Sequence, residues 1–275
     1  MYEQILYDVD DPIATITLNR PDRLNAWTDR MGQEVRHAVG RAESNESVVA
    51  IVITGAGRGF CAGADLKGLS SLSQGKRERD EVDDELAAEP GDAEMEAGYR
   101  ATYTYLASVR KPVIAAINGP CAGMAIPISL AADLRFASDR AVFATAFSRR
   151  GLIAEWGINW FLPRLVGTAH ALDLILSGRK IDAAEAERMG LVNKVIPHDE
   201  LMKYVADYAR DLAENCSPAS LRVMKRQVYE GLHESLGESH EKAVRLMFES
   251  FSRPDFAEGV KSFTEQRPPS FKRVT

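Results

Sequence analysis

The stretch Ile51–Leu66, IVITGAGRGFCAGADL, constrains this chain more than any other. It is reached through Val48-Val49-Ala50-Ile51-Val52-Ile53-Thr54, a β-branched apolar run with the composition of a buried strand. The run breaks at Gly55, Gly57 and Gly59 and closes with Cys61-Ala62-Gly63-Ala64-Asp65-Leu66. A strand that ends in residues this small leaves main-chain N–H groups free, and lets a ligand approach the backbone closely. A glycine-rich turn between strand and helix is the plainest reading. A dinucleotide-binding turn needs the spacing G-x-G-x-x-G, and Phe60 stands where the third glycine belongs. A phosphate-binding loop ends in G-K-[ST], and the chain has no such triplet.

The flanking sequence predicts how that strand is framed. Ile5–Leu18 alternates around Asp10-Asp11-Pro12 and reads as a β-hairpin. Thr28 or Asp29 caps a helix running to about Ala42, with Met31, Val35, Ala38 and Val39 on one face. Residues 67–98 are dense in charge and are interrupted by Pro90-Gly91, which suits a solvated surface insertion or a lid beside a ligand site. Ala97–Val109 reads as helix, Val113–Ile117 as strand, Ala122–Ala132 as a small-residue helix, and Leu134–Ala137 and Ala141–Ala144 as strands. Trp160–Val166 and Ala171–Leu176 read as helical and Val192–Ile196 as a short strand. From Leu201 to Phe263 the pattern is helical throughout. Strand–helix alternation followed by helices alone predicts an α/β body over residues 1–197 and a helical region over 198–275.

Composition narrows the partners. Hydrophobic residues make up 45% and charged residues 27% of 275, as in an ordinary globule, and the net charge of −6 argues against a dedicated nucleic-acid binder. Three scattered cysteines, Cys61, Cys121 and Cys216, fit free thiols in a reducing, cytoplasmic setting. Histidines and cysteines are too dispersed to predict a metal site. Residues Pro112–Ala132 carry no charge, but Asn118-Gly119-Pro120, Gly123 and Pro127 break them into strand, loop and buried helix instead of a membrane span. The N-terminus lacks the basic and apolar regions of a signal peptide.

A second stretch, Ile117-Asn118-Gly119-Pro120-Cys121-Ala122-Gly123-Met124-Ala125, repeats the plan of the first. Two strands ending in free N–H groups side by side supply two donors for one oxygen, the requirement for holding an enolate or tetrahedral anion. The pair F-C-A-G-A-D-L and N-G-P-C-A-G-M resembles the oxyanion-hole segments of the crotonase superfamily, the enoyl-CoA hydratase/isomerase family. The likeness continues at Asn19-Arg20-Pro21 with Leu24-Asn25-Ala26, at Lys111–Ala116, at Ala131-Ala132-Asp133, at Leu162–Gly167, at Gly190-Leu191-Val192, and at Glu258-Gly259-Val260 with Phe263 and Arg267-Pro268. It implies a spiral of ββα units with a helical C-terminal oligomerisation region, assembled as a homotrimer or a dimer of trimers. It implies an acyl-CoA thioester substrate, as in fatty acid metabolism, with coenzyme A arriving as part of the substrate and no separate cofactor. By the same resemblance the oxyanion donors are the backbone N–H groups of Ala64 and Met124. Arg23, Leu24, Ala26, Ala62, Asp65, Leu66 and Gly123 then lie along the coenzyme A and acyl path, and Lys261 and Phe263 reach a neighbouring subunit's coenzyme A.

The departures from the family pattern bear on the reaction. Typical hydratases of the family carry two glutamates, and here their positions align with Pro127 and Phe147, which cannot move a proton. One carboxylate remains: Glu155, in Gly151-Leu152-Ile153-Ala154-Glu155-Trp156-Gly157, sits where related Δ3-Δ2-enoyl-CoA isomerases hold their acidic base. Trp156 and Trp160 beside it narrow the acyl pocket. A single carboxylate suffices for an allylic proton shift, so isomerisation is the leading expectation. Hydration using Glu155 alone or with Glu94 or Glu96 is the first alternative, and a non-catalytic acyl-CoA binder the second. The related fold also hosts serine peptidases, but no serine stands with a convincing His and Asp.

Overall fold

The structure, a computed structural model, describes residues 2–65, 68, 70, 73–75 and 83–274. The predicted hairpin is formed by β1 (Ile5–Asp10) and β2 (Ile13–Leu18), which pair antiparallel. Helix α1 (Asp29–Ser44) follows, and the Thr28 hydroxyl caps it by accepting a hydrogen bond from Met31 N–H at 3.0 Å. Caps of this kind contribute about 1 kcal/mol. Met31, Val35, Ala38, Val39 and Ala42 lie one or two helical turns apart, and all are buried. The central strand is β3 (Ala50–Gly55). It is followed by β4 (Val113–Ile117), β5 (Cys121–Ala122), helix α2 (Ala125–Ala131), β6 (Leu134–Ser138) and β7 (Val142–Ala144). The chain continues through α3 (Ile158–Ser177), β8 (Ile181–Asp182), α4 (Ala183–Arg188) and β9 (Lys194–Ile196).

The six-stranded sheet has the order β1-β2-β3-β4-β6-β9, parallel from β2 onward, and a three-stranded sheet has the order β5-β7-β8. Parallel strands buried on both faces need apolar residues at every position. On β3 and β4 this is visible residue by residue. Ile51, Ile53, Val113, Ala115 and Ile117 face the main core with α1 and α2. Ala50, Val52, Ile114 and Ala116 face Leu201, Val205 and Ala209 on α5 (Leu201–Asn215). Three further helices close the chain: α6 (Pro218–Gly231), α7 (Leu236–Phe251) and α8 (Pro254–Glu265). No helix of the described residues is long and apolar enough to cross a membrane.

Two expectations change. Ala97–Val109 is not a helix but two short 3-10 turns, Ala97–Arg100 and Tyr105–Ala107. The physical reason lies in its Thr and Ser hydroxyls, which bond the nearby carbonyls of Gly98 and Tyr105, and in its aromatic and β-branched residues, all poor helix formers. The two helical stretches between Trp160 and Leu176 form one element, kinked at Gly167, whose φ of 76° and ψ of 160° are not helical. Much of the 67–98 insertion lies outside the described residues. Its later part is fastened to α1, with Asp83 on Arg30 at 2.6 Å and the Ala88 carbonyl on Arg36 at 2.9 Å.

Candidate active site

The parallel register of β3 and β4 carries the two glycine turns off the same end of the sheet. There Cys61 and Cys121 form an isolated parallel bridge, and Ala122 N–H donates to the Cys61 carbonyl at 3.0 Å. This contact brings the turns together. Gly63 has φ of 108°, a region open to glycine alone, and a Cβ there would stand 3.0 Å from the Ala122 carbonyl oxygen and 3.6 Å from Gly123 Cα. In the second turn, Gly119 has no room for a side chain at all, because its Cβ would meet the Arg58 carbonyl at 2.2 Å.

Two asparagines shape the first turn. Asn25 is fully buried, and its amide donates to the Ala56 and Gly59 carbonyls at 3.0 and 2.8 Å. Asn118 accepts from Gly55 N–H at 3.2 Å and donates to the carbonyls of Gly55, Gly57 and Gly59. Arg20 ties the preceding loop to the end of the turn, donating to the Ala26 carbonyl and forming a 3.0 Å ion pair with Asp65. None of these three was predicted as part of the site. The signal was a cluster of polar turn residues, Asn-Arg-Pro and Leu-Asn-Ala, whose side chains bond backbone instead of water.

Ala64 forms an isolated parallel bridge with Trp27, anchored by Trp27 N–H to the Gly63 carbonyl at 2.8 Å and Asp65 N–H to the Trp27 carbonyl at 2.9 Å. Those bonds use the Gly63 carbonyl and the Asp65 N–H on either side of Ala64 and leave the Ala64 N–H without a protein acceptor among the described residues. Met124, 8% exposed, precedes the first residue of α2, and its N–H likewise has no protein acceptor among the described residues. Its neighbour Gly123 donates to the Ala144 carbonyl at 3.0 Å. Cys61 and Cys121 are packed beneath the turns, and burial pushes both thiols up, Cys61 to about 11, so neither is a nucleophile at neutral pH.

Other expected residues distribute as follows. Leu24 carries a left-handed φ of 48°, and its carbonyl accepts from Ala62 N–H at 2.9 Å, so Leu24, Ala26 and Ala62 frame one side of the first turn. Arg23 is exposed and its guanidinium has no acidic partner among the described residues. Leu66 lies outside the described residues. Lys261 and Phe263 are exposed on α8, and Phe263 is 86% exposed, far from any packing within its own chain. Pro127 is buried in the first turn of α2, where a missing N–H costs nothing, and Phe147 is buried in the core. Glu94 is paired with Arg226 of α6 at 2.8 Å and Glu96 faces His233, just past the end of α6, at 3.6 Å, so both alternative carboxylates are engaged there.

Glu155 is half-buried in the turn before α3. The next residue, Trp156, holds a left-handed φ of 57°, and its ring meets Tyr103 edge-on at 4.6 Å. Tyr103 in turn meets Trp27 edge-on at 6.2 Å, so one aromatic row joins the Glu155 turn to the residue bridged with Ala64. Burial raises the Tyr103 phenol, helped by the Asp29 and Glu155 carboxylates and opposed by the Trp27 indole N–H. Trp27 Nε1 has no hydrogen-bond partner of good geometry among the described residues, which is rare for a buried donor. Trp160, seven residues before Gly167, packs away from this row, against Tyr99, Phe161 and His233.

The site can therefore offer two main-chain donors on touching turns and one carboxylate at the far end of an aromatic wall. Known proteins resemble this chain over nearly its whole length. The family profile for enoyl-CoA hydratase/isomerase matches residues 8–274. A probable enoyl-CoA hydratase of Mycobacterium tuberculosis is 35% identical over 270 residues, covering 98% of each chain. The 1,2-epoxyphenylacetyl-CoA isomerase of Escherichia coli is 32% identical over 271 residues, covering 98% of this chain and 99% of its own. Among solved structures, an enoyl-CoA hydratase from Bacillus anthracis superimposes with a TM-score of 0.83 at 28% identity, over 98% of this chain and 99% of that one. A probable enoyl-CoA hydratase/isomerase from Mycobacterium abscessus gives a TM-score of 0.84 at 27% identity, over 98% and 99%. The chain thus belongs to the enoyl-CoA hydratase/isomerase family and is an enzyme with its crotonase fold.

Proposed function

We propose that this enzyme moves a carbon–carbon double bond within an acyl-CoA thioester, from the 3,4 to the 2,3 position. The reading is supported chiefly by the contact between the Gly63 and Gly123 turns, with unbonded N–H groups on the residues that follow, Ala64 and Met124. Glu155 takes a proton from C2. The C–H electron pair moves toward the thioester carbonyl, and the resulting dienolate oxygen accepts hydrogen bonds from the two amides. The Glu155 carboxyl then returns the proton at C4, the 2,3 double bond forms, and the carbonyl is restored. A fixed donor of this kind is worth roughly a hundred- to a thousandfold in rate. Pro127 and Phe147, at the positions of the usual hydratase glutamates, supply no second proton carrier.

Glu155→Gln tests the assignment. Isomerisation of a 3-enoyl-CoA is expected to fall by at least about a hundredfold with acyl-CoA binding unchanged. A near wild-type rate overturns it. Hydration of a 2-enoyl thioester is the second reading, favoured by the names of the hydratase relatives. Loss of the conjugated thioester absorbance on incubation with crotonyl-CoA distinguishes it.

The rest of the proposal follows from the same likeness. Coenzyme A enters with the substrate, and the proton shift needs no other cofactor. The enzyme works as a homotrimer or dimer of trimers, in keeping with Phe248, Phe251, Phe256, Val260 and Phe263, which α7 and α8 leave exposed in one chain. In such an assembly Lys261 and Phe263 reach a neighbour's coenzyme A. A cytoplasmic setting suits the three unpaired cysteines.

A further inference from the structure

A cavity of about 430 Å³ lies between α6 and α7, beside the start of α8 and the C-terminal tail. It shares Arg222 and Val274 with a small cleft bordered by Val48, Val49, Arg110 and Pro112, the residues that lead into β3 and β4. The two glycine turns leave the opposite ends of those strands, so the cavity and the candidate active site lie at opposite ends of the sheet.

Five cationic side chains line it: Arg222, Arg226, Lys242, Arg245 and Arg253. Among the described residues two carboxylates line it with them, and both are shared. Asp92 is paired with Arg226 at 3.3 Å and with Arg222 at 3.7 Å, and Glu230 with Arg226 at 2.6 Å and with Lys242. At the rim Glu94 and Glu234 are taken up by the same Arg226 and Lys242. Arg245 and Arg253 have no acidic partner among the described residues, and Arg222 has only the long, shared one. Five cations thus stand against four carboxylates, all four held by Arg222, Arg226 and Lys242, so the unmatched charge falls on Arg245 and Arg253 in a chain whose net charge is −6. Arg245 is exposed and Arg222 and Arg253 are partly so, and unmatched cations gathered on one concave surface repel one another and raise the positive potential over the cavity. Guanidinium forks match phosphate oxygens in pairs, and the volume is that of a small-molecule site.

We propose that this cavity binds a small molecule carrying two or more phosphate groups, with Arg222, Arg245 and Arg253 as its anion clamp. Inorganic pyrophosphate is the probe, titrated calorimetrically into the full chain at low ionic strength in the presence of a chelator. The expected result is one site per chain, weakening as salt rises. The double variant Arg245→Ala/Arg253→Ala should bind at least about tenfold more weakly, with an unchanged melting temperature. Gln at both positions keeps the stems and should give the same loss. Arg23→Ala should leave the affinity unaltered. The proposal is overturned if the wild-type chain shows no saturable binding, if the double variants bind as well as it does, or if Arg23→Ala alone removes the binding.

Discussion

Replacing Gly63 by alanine separates the two turns on which the account depends, and its effect can be worked from the geometry. The φ of 108° is a region that an L-residue occupies only under strain, at a cost of about 1–3 kcal/mol. The new Cβ would also stand 3.0 Å from the Ala122 carbonyl oxygen, roughly half an ångström inside an ordinary contact of about 3.5 Å. That neighbour is backbone, held by the Cys61–Cys121 bridge, so relief comes from moving one turn away from the other. Ala64 N–H and Met124 N–H would part by a similar amount. Losing a donor outright costs about a hundred- to a thousandfold, so a partial loss should lower kcat by roughly ten- to a hundredfold. The melting temperature should fall by about 2–4 °C for each kcal/mol of strain. Thermal unfolding followed by circular dichroism and turnover of a 3-enoyl-CoA read the two effects separately. A Gly63→Ala enzyme with wild-type kcat would refute the reasoning, whatever its stability.

The remaining predictions concern the scaffold. Lys225 reaches Asp133 at 2.7 Å, and the same carboxylate accepts from Val113 N–H and the Tyr229 hydroxyl; burial raises the Asp133 carboxyl and lowers the Lys225 ammonium, and their mutual attraction opposes both shifts. Lys225→Met strands the buried acid and should cost about 3–5 kcal/mol in urea unfolding; a loss below about 1 kcal/mol would contradict the pairing. Asn118→Ala removes the amide that holds the Gly55, Gly57 and Gly59 carbonyls and should cost about 1–3 kcal/mol, together with much of the activity; a variant as stable and active as wild type would rule this role out. Arg267, and then Ser270 N–H, hold the Glu258 carboxyl down from 4.5 to about 2. Because its folded value lies below the unfolded one, the clasp adds stability above about pH 4.5 and loses it as pH falls toward 2. A carboxyl-carbon NMR titration of Glu258 with a midpoint near the usual glutamate value would show the clasp to be absent.

The strand–turn units were legible in the sequence because their signals are local. A β-branched run marks a buried strand, and glycine after it marks the turn, as at Ile53-Thr54-Gly55 and Ile117-Asn118-Gly119. The Thr28 cap and the apolar stripe of α1 were legible for the same reason. What sequence could not supply is long-range register: nothing near Cys61 announces that it pairs with Cys121, yet that bridge sets the spacing of the turns. Buried polar residues are also hidden. Asn118 read only as part of a turn and Asn25 only as part of a motif, yet they are 8% and 0% exposed, because each bonds two or more carbonyls of a turn distant in the chain. Ala97–Val109 misled because its apolar spacing suits a helix, while its Tyr, Thr and Ser side chains favour packing and backbone bonds that break one. Tyr103 entered the site description through that break, facing Trp27 and Trp156.

The most direct measurement is a crystal structure of the enzyme with an unreactive 3-enoyl-CoA analogue. One thioester oxygen is expected about 2.7–3.1 Å from both Ala64 N and Met124 N, with a Glu155 carboxylate oxygen about 3–3.5 Å from C2 and within reach of C4. A thioester oxygen that meets neither amide, or a Glu155 side chain turned to bulk solvent with another acid beside the reacting carbons, would contradict it.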